Sequence, residues 1–244
     1  MRRGIILFIS IILTFTFLVP VLLTADEVTE SLESKILESF DPDTRTSDWI
    51  VRGSKFVTEG FPRQTYAKAW PEALHGVNRD NVDYQVLGAN AQFDRQGYNY
   101  LEFIPVKKND AGELVPNPID IPGRVKSLDM WIWGSQYDYY IEVDLEDYTG
   151  VVWTLNLGNI NYTGWRNLRV EIPHYIPQAV TYIPYLKSLK LLKFKLWTRP
   201  SERVNNFYIY LDQVKVLTDM FETGFDGDDL TWPEKTAEIW SNVE

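Results

Sequence analysis

The chain offers little to acid–base, nucleophilic or metal chemistry. Its 244 residues hold two histidines, His75 and His174, and no cysteine. Neither histidine has a second ligand at metal-binding spacing. His75 stands beside Gly76, and His174 lies between Pro173 and Tyr175, as loop histidines commonly do. There is no Gly-x-Ser-x-Gly, no His-Glu-x-x-His and no phosphate-binding glycine loop. Without cysteine there are no disulfides, no thiolate metal sites and no lipid-modified N-terminal cysteine. Carboxylates are plentiful, 34 in all, but their spacing singles out no acid and base. Asp138, Glu142, Asp144, Glu146 and Asp147 read as a solvated strand face and its turn. Asp226-Gly227-Asp228-Asp229 lacks the ligand spacing of an EF-hand loop and reads as an acidic turn. Asn161-Tyr162-Thr163 has the form of a glycosylation acceptor. No catalytic residue, cofactor or metal is assigned, and the chain is expected not to be an enzyme.

What the sequence holds in excess is aromatic surface. Nine Trp, 14 Tyr and 12 Phe exceed what a core of this size needs. The elements that position them follow from period-two alternation. Leu128, Met130 and Ile132 alternate with Asp129, Trp131 and Trp133. Gly134-Ser135 reads as a turn, and Tyr137 to Leu145 alternates again, so a hairpin is expected here. Further strands are read at Trp49, Tyr98–Val106, Val151–Leu157, Leu168–Ile172, Leu192–Leu196 and Phe207–Val216. In the last of these Val214 and Val216 fall out of phase with Phe207, Ile209 and Leu211, which predicts a β-bulge at Asp212-Gln213. Lys107–Gly123 reads as a connection. Val28, Leu32, Ile36 and Phe40, spaced by four, fit a short N-terminal helix, with a first strand from Leu37 as the other reading.

Many short alternating strands between Pro- and Gly-rich turns predict one all-β antiparallel sandwich over residues 26–224. Its core is expected at Leu128, Ile141, Val143, Val170, Phe194, Leu196, Ile209 and Leu211. Then Trp131, Trp133, Tyr140, Trp197, Tyr208 and Tyr210 face outward and are the candidate interface, for protein or for sugar. The other reading is that a second layer covers them. Residues 225–244 form an acidic tail without strand alternation.

Residues 1–25 read as an export signal: Arg2 and Arg3, an apolar run from Ile5, then Leu23-Thr24-Ala25 before acidic sequence. Cleavage is expected between Ala25 and Asp26. An uncleaved anchor is the rival, but Pro20 disrupts the run and no basic cluster follows it. Cleavage removes two arginines and takes the net charge from −10 to −12. Such a protein repels nucleic acid and anionic membranes.

Two segments carry a resemblance. Gly164-Trp165-Arg166-Asn167-Leu168-Arg169-Val170-Glu171-Ile172-Pro173 and Phe207-Tyr208-Ile209-Tyr210-Leu211-Asp212-Gln213-Val214-Lys215-Val216 resemble strands of galactose-binding-like jelly rolls, which implies a fold and not a function. Over a longer span, Ser39-Phe40-Asp41 through Trp49, Ser54-Lys55-Phe56, Pro62 to Pro71 and Trp131-x-Trp133-Gly134 resemble the flagellar filament outer layer (sheath) proteins, FlaA, of spirochaetes. The resemblance implies a periplasmic sheath subunit, coating a filament core of flagellin-like FlaB subunits beside other sheath subunits and affecting filament shape and motility. A periplasmic carbohydrate-binding module is the alternative.

Overall fold

The computed structural model describes residues 30–77, 83–179, 186–221, 230 and 233–241. The export segment with Ala25 and Asp26, and the Asp226–Asp229 run, lie outside the described residues. In chain order the strands are β1 (Leu32–Glu38), β2 (Asp48–Gly53), β3 (Arg63–Lys68), β4 (Gln85–Ala91), β5 (Tyr100–Lys108), β6 (Leu114–Pro116) and β7 (Ile119–Ile121). They continue with β8 (Arg124–Ser135), β9 (Tyr140–Glu146), β10 (Val152–Asn159), β11 (Thr163–Glu171), β12 (Leu189–Trp197) and β13 (Phe207–Asp219). Two short helices, α1 (Glu72–His75) and α2 (Pro233–Trp240), complete the set.

The strands form an antiparallel β-sandwich. One sheet runs β11-β8-β13-β4-β3, with β1 beside β13. The other runs β10-β9-β12-β5-β2, with β6 beside β5 and β7 beside β12. Alternate residues from each sheet meet between them. Leu128, Ile141, Val143, Phe194, Leu196, Ile209 and Leu211 are fully buried there, as the alternation predicts. Val170 is only half-buried, because β11 is an edge strand with a neighbour on one side. Phe194 stacks on the buried Trp49, ring centroids 6.1 Å apart. Truncating Phe194 to Ala should cost about 3–5 kcal/mol, read as a lowered denaturation midpoint; an unchanged midpoint would contradict its burial.

The bulge stands where the phase break puts it. Gln213 has a φ of 45°, and the β13–β8 register shifts between Asp212 and Lys215. Its role is a change of partner: β13 pairs β4 through Leu211, and β1 from Val214 onward. Val214 and Val216 thereby return to the core.

Five expectations are corrected. Asp144 and Asp147, read as part of a solvated face and turn, are buried, because Thr154 donates to Asp144 and Thr149, Val151 and the Trp153 indole donate to Asp147. The N-terminal helix is instead strand β1. A spacing of four is also twice two, so Leu32 and Ile36 share one strand face; both are exposed, and it is Leu37 that enters the core. The hairpin across Gly134-Ser135 does not form. β8 and β9 belong to different sheets, and the chain crosses from one to the other at Gln136–Tyr139. Alternation marks strands but not partners. Gly134 is needed for another reason: a Cβ there would lie 2.6 Å from the Tyr162 carbonyl oxygen. In β12 a register shift between Leu191 and Lys193 buries Leu191 and leaves Leu192 half-exposed. The Lys107–Gly123 connection contains β6 and β7, each three residues long.

One edge is closed by side chains. Gln64 on β3 accepts a hydrogen bond from Val51 N–H (2.7 Å) and donates one to the Trp49 carbonyl (2.8 Å). The Tyr66 hydroxyl accepts from Trp49 N–H at 3.3 Å. The free edge of β2 is thus capped by the opposite sheet, which removes a site for unwanted strand pairing.

Candidate interface

The register of the six-stranded sheet places its outward rings in rows. Trp165 on β11 is opposite Trp133 on β8, Trp133 is opposite Tyr210 on β13, and Tyr210 is opposite Gly88 on β4. Gly88 is in turn opposite Thr65 on β3. The Trp133 and Tyr210 rings meet edge to face at 5.6 Å. At Gly88 a Cβ would come within 2.8 Å of the Tyr210 ring. The missing side chain lets that ring lie on the backbone and opens a groove of about 130 Å³ lined by Arg63, Thr65, Asn90, Tyr208 and Tyr210. Tyr208, at 43% exposure, is the most accessible of the six candidate residues. Ser135 Oγ donates to its carbonyl at 2.7 Å. One row further along, Trp131 is opposite Asp212. Its indole N–H is buried and has no acceptor among the described residues.

The outward face of the other sheet is organised differently. Trp197 is flanked by Tyr140 and Tyr100. Its indole donates to Glu142 at 2.8 Å. The Lys195 ammonium sits 4.3 Å from the Trp197 ring and 4.2 Å from the Tyr100 ring, an attraction between cation and ring quadrupole. Lys193 and Lys195 approach Glu102 at 2.7 and 3.7 Å. Burial, with the Glu142 carboxylate beside it, raises the Tyr140 hydroxyl above its ordinary range, so it stays a neutral phenol. Polar groups on this face are largely satisfied by one another.

The six candidate residues therefore all lie on outward faces, but on two different ones. Trp131, Trp133, Tyr208 and Tyr210 share the first, and Tyr140 and Trp197 the second. Tyr208 is exposed and the other five are half-buried. Trp165 and Gly88 complete the first face. Trp165 was visible as the Trp of the jelly-roll motif, whereas nothing local marks Gly88, because a trough exists only once β13 and β3 flank it. The histidines join neither face. His75 stacks on Tyr84 at 4.0 Å, and the exposed His174 lies beside Tyr175. Among the described residues no group of three or more His, Asp or Glu is placed to hold a metal.

The model of the flagellar filament outer layer protein family, FlaA, matches residues 40–226. This chain belongs to the flagellar filament outer layer family. Among its relatives is a putative flagellar filament outer layer-like protein of Brachyspira hyodysenteriae, 28% identical over 207 residues, covering 83% of this chain and 87% of that protein. The flagellar filament outer layer protein of Borreliella burgdorferi is 25% identical over 136 residues, covering 51% of this chain and 40% of the relative. Similar solved structures include a family 11 carbohydrate-binding module of a Clostridium thermocellum cellulase, at 8% identity and a TM-score of 0.42, covering 80% of this chain and 99% of that one. That distance carries nothing about ligands. The family match includes β2 through β13 and both aromatic faces, and it ends before α2.

Proposed function

We propose that this chain is a structural subunit of the outer layer of the spirochaete periplasmic flagellum, exported by cleavage between Ala25 and Asp26. The observation that carries the reading is the family match across 40–226. In this reading the sandwich is a rigid block with two aromatic faces. One contacts the flagellin-like FlaB core and the other meets neighbouring sheath subunits. Each contact can be weak, because a lattice engages many at once. Adding subunits to the core then sets filament thickness, shape and stiffness, and through these motility. No catalytic step is assigned, since no acid–base or nucleophilic set is assembled on either face. Six residues, Trp131, Trp133, Tyr140, Trp197, Tyr208 and Tyr210, are the proposed contact residues.

Fractionation tests the reading. The protein should travel with purified periplasmic flagella and begin at Asp26. Cells lacking it should make thinner or differently curved filaments and swim differently. Filaments of unchanged diameter, shape and composition would reject the sheath role.

A further inference from the structure

The C-terminal helix α2 is largely exposed. From Glu234 to Trp240 every residue except Thr236 is exposed. Ile239 stands at 42% and Trp240 at 64% exposure. An eight-residue helix is too short to be stable by itself in water. Its apolar end, Ile239 and Trp240, is left open to a further surface.

The groove beside Tyr208 and Tyr210 has the complementary properties. It is lined by Tyr208 and by the Tyr210 ring lying on Gly88, with Arg63 beside them. Charge points the same way. Residues 222–244 carry seven acidic groups and one lysine. On the groove's own side of β3 and β11 stand Arg63 and Arg169, the latter held by Glu171 at 2.8 Å. Arg63 has no carboxylate partner among the described residues and lies over the Phe61 ring. The other outward face is a poorer fit, because its lysines already hold Glu102, Asp144 and the Trp197 ring.

We infer that copies of this chain join head to tail, the Trp240 indole of one seated in the Tyr208–Tyr210 groove of the next with Glu234 and Glu238 of α2 toward Arg63. A contact between two different patches extends into a row wherever its rotation does not close a ring. That is the geometry a coat along a filament requires, and only this last step depends on the outer-layer reading.

Sedimentation of the protein purified after export tests it. Mass should rise with protein concentration and the rise should weaken with salt. Trp240→Ser, with Ile239→Ser as a second tail variant, should weaken association roughly tenfold or more. Thr65→Trp, at an exposed groove position, should do the same by filling the groove. The decisive mixture is Trp240→Ser with Thr65→Trp: one good groove and one good tail remain, so growth should stop at a heterodimer. Wild-type protein that stays monomeric at every concentration overturns the inference. So does a Trp240→Ser variant that associates normally, or a mixture no different from its components. A monomer that still travels with flagella would defeat this contact and leave the outer-layer function standing. Self-association without flagellar recovery would do the reverse. Thr65→Trp losing filament attachment while Trp240→Ser keeps both attachment and self-association would assign the groove to the core filament or a sugar instead.

Discussion

Glu38→Ala should be among the most damaging single changes in the protein, costing at least about 4 kcal/mol. Glu38 is fully buried on the last position of β1. One oxygen accepts from Phe40 N–H (2.9 Å) and Thr46 N–H (3.3 Å). The other accepts from Ser47 N–H (3.1 Å), the Thr46 hydroxyl (2.9 Å) and the Trp49 indole (3.0 Å). Removing the carboxylate strands several buried donors, each at roughly 1–3 kcal/mol. Three of the residues it holds pack the core or lead into β2: Phe40, which has a φ of 62°, Ser47, and Trp49, whose ring lies 5.5 Å from that of Phe40. Against a total stability of about 5–15 kcal/mol, the variant should be marginally folded. Glu38→Gln should fall between the two, since an amide offers one acceptor oxygen and turns its NH₂ toward donors. Urea unfolding of the three proteins checks the order. A Glu38→Ala midpoint equal to wild type would mean that water replaces the carboxylate in full.

The same residues show how far the sequence could be read. Ser39-Phe40-Asp41 through Trp49 was legible as a family signature, and Trp49 as the anchor of its strand. That Glu38 organises the segment was not, because five donors converge on it from a loop that is contiguous in sequence but has no periodicity. The strands were legible wherever one face is apolar, and the bulge at Asp212-Gln213 could be placed because a phase break has one local cause. Pairing was less so. β8 and β9 alternate as two strands of a hairpin would, yet Tyr137 and Tyr139 turn inward and hydrogen-bond the carbonyls of Asn205 and Arg203. That anchors the chain at a crossing between sheets. The outward rings were found by the same alternation, but their division between two faces depends on sheet membership, which alternation does not encode.

Asp212→Asn should stabilise the protein at pH 8 by about 2–3 kcal/mol and remove a pH dependence that wild type shows. Asp212 lies on the outward side of β13 at the handover from β4 to β1, and only 5% of it is exposed. Burial, and then the charge of Asp41, push its carboxyl up to about 8, opposed by the Gln213 backbone N–H. Burial raises Asp41 as well, against the hydrogen bond from Gln85 N–H and the field of His75, with Glu38 and Asp43 adding repulsion. No lysine or arginine pairs with either among the described residues. The folded state therefore holds a proton that the unfolded chain releases near pH 4. Between about pH 4 and pH 8 the native state binds more protons, so stability falls as pH rises and the loss is complete above the folded pKa. Each tenfold in proton affinity is worth about 1.4 kcal/mol, and water drawn to the ionising carboxylate reduces the sum that is measured. Asp147 and Asp219 act in the opposite sense. Burial raises each, but hydrogen bonds outweigh it, from Thr149, Trp153 and Val151 to Asp147, and from Ser31 and Phe221, with the Lys126 and Arg124 charges, to Asp219. Both lie below the ordinary range, so their contribution is present above the unfolded pKa and is lost as acid protonates them. Wild type should thus be most stable near pH 4–5, with declines on both sides. Asp212→Asn should flatten the alkaline side and leave the acid side in place. Thermal unfolding from pH 3 to pH 9 separates the outcomes. An asparagine variant that keeps the alkaline decline would assign that decline to another group and show Asp212 to be solvated as an ordinary carboxylate.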